Sequence, residues 1–80
     1  MEGNIQLPTG DALEFLPLEI TINGEKQESF LANQGYFYLE KIPVGEHELR
    51  VRRAEGDCIV RLMVPETDKI VAPLGDLNCH

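Results

Sequence analysis

Apolar and polar residues alternate along most of this chain. In LEITI, Leu18–Ile22, Leu18, Ile20 and Ile22 share one face while Glu19 and Thr21 share the other. That period of two predicts a half-buried strand. Asn23-Gly24 follows, and both residues tolerate the positive φ of a tight hairpin turn, so the chain returns as a second strand over Lys26–Leu31. Asn33-Gln34-Gly35 breaks the chain, and YFYLE, Tyr36–Glu40, restarts it with Tyr36 and Tyr38 facing away from Phe37 and Leu39. Pro43-Val44-Gly45 turns again. His47–Arg53 then alternates with Leu49 and Val51 inward and Arg50 and Arg52 outward. After Glu55-Gly56-Asp57, the run Cys58–Val64 places Val60, Leu62 and Val64 on one face and Ile59, Arg61 and Met63 on the other. Pro65 ends that strand because it has no N–H to give to a ladder. A last short strand that includes Ile70 and Val71 and another at Ile5–Leu7 complete the set. Gly10–Leu16, between Pro8 and Pro17, reads as a loop or a single turn.

Turns at intervals of about ten residues, with no helical period, predict an all-β fold. We expect a small β-sandwich of about seven mostly antiparallel strands, forming a single domain over residues 1–80. A chain this short buries roughly 60 to 65% of its unfolded surface, so its core is marginal and a covalent staple would help. The chain has two cysteines, Cys58 at the start of a strand and Cys79 one residue from the end. A Cys58–Cys79 bridge would contribute on the order of 3 kcal/mol by restricting the unfolded chain. The even count favours the bridge and an oxidising compartment; two buried reduced thiols are the alternative.

Charge narrows the partners. The formal net charge is −7, which sets the chain against a phosphate backbone or an anionic membrane surface. No apolar run approaches the roughly 20 residues of a membrane-spanning helix, so no direct membrane insertion is expected. The opening MEGNIQ has neither the basic start nor the apolar segment of a signal peptide. Cys58, Cys79, His47 and His80 lack metal-binding spacing, and no third residue presents itself to orient a Cys-His nucleophile. The glycines are isolated, so no loop cradles phosphate. We expect no enzyme, no metal and no cofactor.

Arg50, Arg52 and Arg61, outward on neighbouring strands, form a basic stripe across an acidic domain. Cross-strand pairing with glutamates would explain it at roughly 0.2 to 1 kcal/mol per pair. Contact with an acidic partner is the sharper reading, with Tyr36, Tyr38 and Met63 as apolar anchors beside the arginines.

GYFYLEKIPVGEHELRVRR, Gly35–Arg53, resembles the strand–turn–strand unit of prealbumin-like β-sandwich modules. The tail, GDCIVRLMVPETDKIVAPLGDLNCH, resembles the C-terminal end of fimbrial outer-membrane ushers of the chaperone–usher pathway, those of the archaic type in particular. These end with a cysteine-bearing strand, a proline and a closing Leu-Gly-x-x-x-Cys, here Leu74, Gly75 and Cys79; His80 extends one residue further. The resemblance implies a prealbumin-like domain in the periplasm of a bacterial outer-membrane protein, forming one piece of a usher with barrel, plug and N-terminal domain. It also implies a module that holds periplasmic chaperone–pilus subunit complexes during pilus assembly and secretion, and a disulfide between Cys58 and Cys79. The alternative is a carboxypeptidase-regulatory-like or transthyretin-like accessory module of another secreted protein.

Overall fold

The Asn23-Gly24 pair forms the turn its chemistry allows, with φ of 51° and 83°. It joins β2 (Pro17–Ile22) to β3 (Glu25–Phe30), paired from Ile22↔Glu25 to Pro17↔Phe30. A computed structural model of the chain describes residues 1–67 and 71–80, and seven strands lie among them. The others are β1 (Glu2–Gln6), β4 (Tyr36–Tyr38), β5 (Gly45–Val51), β6 (Cys58–Val64) and β7 (Pro73–Asn78). They form two layers, a four-stranded sheet in the order β3-β2-β5-β6 and a three-stranded sheet in the order β4-β1-β7. The fold is the expected small β-sandwich.

All pairings in the four-stranded sheet are antiparallel. In the three-stranded sheet β1 is central, antiparallel to β4 and parallel to β7. The strictly alternating strands supply one side of the core: Leu18, Ile20, Leu49, Val51, Val60, Leu62 and Val64 are buried. Ile5 of β1, Phe37 of β4 and Leu39 just after it join this core, Phe37 and Leu39 on the face the alternation in YFYLE requires. Leu31, just past β3, is buried with them.

Two expected strands differ from those observed. The closing strand is Pro73–Asn78; Val71 lies in a bend outside it, and Ile70 falls outside the described residues. Pro73 opens β7, where a missing N–H costs no ladder bond. The first strand starts at Glu2, because Gly3 lets β1 pass close to its neighbours. A Cβ on Gly3 would stand 2.9 Å from the carbonyl oxygen of Gly75 and 3.1 Å from the Phe37 ring. Residues 7–16 form no helix. They hold a turn closed by Gly10 N–H on Leu7 (2.8 Å), a bridge between Gln6 and Ala12, and buried Leu13.

Candidate functional site

The two sheets are fastened at one end. Cys79 continues the line of β7, its N–H donating to the carbonyl of Gln6 at 2.8 Å. Its sulfur is bonded to that of Cys58, the first residue of β6, with the two Cα atoms 5.5 Å apart. The disulfide therefore joins the three-stranded sheet to the four-stranded one. Both cysteines are buried, and their apolar setting shields the bond. With both sulfurs in the bridge, neither is a thiolate for a metal or a nucleophile. One residue on, Ile59 and His80 exchange reciprocal backbone hydrogen bonds, so the tail adds a rung to the outer edge of β6. His47 is elsewhere, its Nε2 donating to the Pro43 carbonyl at 2.7 Å.

The outer face of the four-stranded sheet is a ladder of opposite charges set by register. Glu19 lies opposite both Glu28 and Arg50, Arg50 opposite Ile59, Glu48 opposite Arg61, and Glu46 opposite Met63. Glu19 gathers three cations: Arg52 at 3.1 Å, Lys26 at 3.6 Å and Arg50 at 3.8 Å. Its own side chain is only 13% exposed beneath them. Asp57 takes the other side of Arg50 at 3.5 Å and of Arg52 at 4.0 Å. Arg61 meets Glu48 at 3.2 Å, with both side chains well exposed. Arg50, Arg52 and Arg61 do form an outward row, and each is paired with a carboxylate within the domain. A shallow hollow on this face is lined by Glu48, Arg50, Ile59, Arg61 and Met63, with Met63 54% exposed.

Tyr36 and Tyr38 lie on β4, in the other sheet. They face outward from it, so they and the arginines occupy opposite outer faces of the sandwich. The expected arrangement of arginines around tyrosine anchors does not form, because β4 pairs with β1 and never joins β5 or β6. Instead the tyrosines meet carboxylates: Tyr36 Oη donates to Glu2 at 2.7 Å and Tyr38 Oη to Glu40 at 3.3 Å. The hydrogen bond to Glu2 holds the Tyr36 phenol above its ordinary pKa, and partial loss of hydration with the Glu40 charge does so for Tyr38. Around them run polar side chains of β1 and β7, with Gln6 donating to Asn78 at 3.1 Å and Asn4 donating to the Gln34 carbonyl at 3.2 Å.

Phe15 and Phe30, each about two-thirds exposed, were not among the expected anchors. Phe30 was legible: it follows Lys26 and Glu28 on the outward face of β3 and stands opposite Pro17. Phe15 sits in the irregular segment before β2 at a φ of 59°, where no periodicity could point to it.

No protein family, curated protein or solved structure matches the chain.

Proposed function

We propose that this chain is the C-terminal periplasmic domain of a fimbrial outer-membrane usher, where it holds chaperone–subunit complexes while a pilus is assembled. The observation that carries the reading is the tail. Leu74, Gly75 and Cys79 follow the closing pattern of the archaic ushers, and Cys79 is bonded to the cysteine that opens β6. A bridge of this kind suits an oxidising compartment such as the periplasm. The work is that of a rigid scaffold with a releasable surface, and strand exchange between subunits supplies the driving energy.

A capture surface on the four-stranded sheet would centre on Met63 and Ile59 beside Arg61, the most exposed of the arginines. A small apolar anchor with a charged neighbour gives a weak, transient contact, which suits a module that must release each complex. The test is capture of the chaperone–subunit complex encoded beside this chain, with the domain immobilised. Micromolar, reversible binding weakened by Met63→Glu is expected. Absence of binding to any such complex would contradict the reading.

A further inference from the structure

The two outer faces differ in how their charge is balanced. On the four-stranded sheet every arginine meets a carboxylate. On the three-stranded sheet, Glu2, beside Tyr36 and Tyr38, has no cation within ion-pair distance among the described residues, and the same holds for Glu40 and Asp76 at its margins. Among the described residues, then, the carboxylates of this face are not offset by ion pairs, in a domain whose formal charge is −7. It also keeps two aromatic rings in solvent, Tyr36 at 39% and Tyr38 at 41% exposure.

We propose that this face docks an arginine side chain from a basic protein partner, taken between Tyr36 and Tyr38 with its charge on Glu2. Residues two apart on a strand project to the same side with a spacing of about 6.7 Å. A planar guanidinium needs about that gap to lie in contact with an aromatic face on each side. Glu2 stands opposite Tyr38 in the ladder and accepts from the Tyr36 hydroxyl, so its carboxylate is next to both tyrosine positions on this face. One carboxylate oxygen takes that hydrogen bond, and the other has no partner among the described residues. The phenol–carboxylate bond also pushes electron density into the ring, which strengthens its attraction for a cation. Lysine, a compact and strongly hydrated charge, would gain the Coulomb attraction without the double stacking. The net charge of the domain would steer a basic partner toward it, and salt would weaken the encounter. This inference does not rest on the assignment to an usher.

The experiment is an NMR titration of the whole chain with three peptides, acetyl-Gly-Arg-Gly-amide and its lysine and citrulline counterparts, and with cellohexaose. The arginine peptide should shift the Tyr36 and Tyr38 ring signals and the amides of residues 2–4 and 36–38. Its dissociation constant should be at least threefold tighter than that of the lysine peptide, with no saturable response to citrulline. Glu2→Gln should weaken it about tenfold, and the Tyr36→Ser/Tyr38→Ser pair should abolish it with the thermal midpoint retained. Equal responses to arginine and lysine, shifts centred on β5 and β6, or no shifts would overturn the proposal. So would a response to cellohexaose with the arginine peptide silent, which would make the face a glycan platform.

Discussion

Ile59 and His80 exchange two backbone hydrogen bonds, 2.8 Å and 2.9 Å long, immediately beside the disulfide between Cys58 and Cys79. Reciprocal bonding of this kind is one rung of an antiparallel ladder. The tail thus belongs to both sheets: Cys79 is bonded through its N–H to β1, and His80 through its backbone to β6. The outer edge of β6 is covered at Ile59, where an unpaired strand edge would otherwise invite association. Covalent and hydrogen-bonded fastenings act on adjacent residues, so the loss of one should loosen the other.

Replacing both cysteines by alanine removes the cross-link while keeping the site apolar. Stability should fall by about 3 kcal/mol, the value expected for closing a loop of this length. For a domain of this size that is a drop in thermal midpoint of roughly 12 to 24 °C, read by circular dichroism. Hydrogen exchange should show the amides of Ile59 and His80 losing protection before those of β2 and β5. An unchanged midpoint would mean the bridge does not constrain the unfolded chain.

Gly35 is the position where a side chain is least tolerable. Its φ is 74°, and a Cβ there would collide with the carbonyl oxygen of Ile5 in the central strand of the smaller sheet. Gly35→Ala should cost more than 2 kcal/mol, combining an unfavourable backbone with a displaced β1. Gly10→Ala is the control: its φ is 95°, but nothing lies within 4 Å, so only the backbone term of about 1 kcal/mol remains. Urea unfolding of the two variants should separate them clearly.

The charge ladder predicts an unequal response to reversing its arginines. Arg52→Glu brings a carboxylate against Glu19 and Asp57 and should cost about 1 kcal/mol, diminishing in high salt. Arg61→Glu faces Glu48 across an exposed, screened contact and should change stability by less than about 0.5 kcal/mol. Chemical denaturation at low and high ionic strength distinguishes them. Equal costs would mean that Glu19 is not the centre of the ladder.

Tyr36 and Tyr38 are the chain's two tyrosines, and it has no tryptophan, so phenol ionisation can be followed cleanly by ultraviolet absorbance. Both should titrate above the ordinary value of 10.0 in the folded protein. A raised acid pKa favours folding while the phenols are protonated. That contribution is complete below pH 10 and is lost as pH rises through the folded-state values. Glu2→Gln should return Tyr36 toward its ordinary value and move Tyr38 less, because Glu2 is the largest cause at Tyr36 and the smallest named at Tyr38.

β2, β5 and β6 of the larger sheet were legible because each buries one face and wets the other, as Leu18 and Glu19 or Val60 and Arg61 do in turn. β3 has no buried residue and was legible from the Asn23-Gly24 turn that returns it. β7 was not. Pro73, Gly75 and Asp76 interrupt its alternation, and its partner is β1, at the far end of the chain and in the parallel sense. The outward direction of Tyr36, Arg50 and Met63 could be read from period two alone. Which sheet each joins could not, because strand order depends on pairings that a local pattern does not encode. The same limit separated the tyrosines from the arginines, and left Glu19 unrecognised as the hub where Lys26, Arg50 and Arg52 converge.

The closure of the sandwich by its own tail is tested most directly by counting thiols in protein purified without reductant. Alkylation under denaturing conditions, followed by intact mass, should label no cysteine before reduction and both after it, with Cys58 and Cys79 recovered as one linked peptide pair. Two labelled cysteines in never-reduced protein would contradict the account.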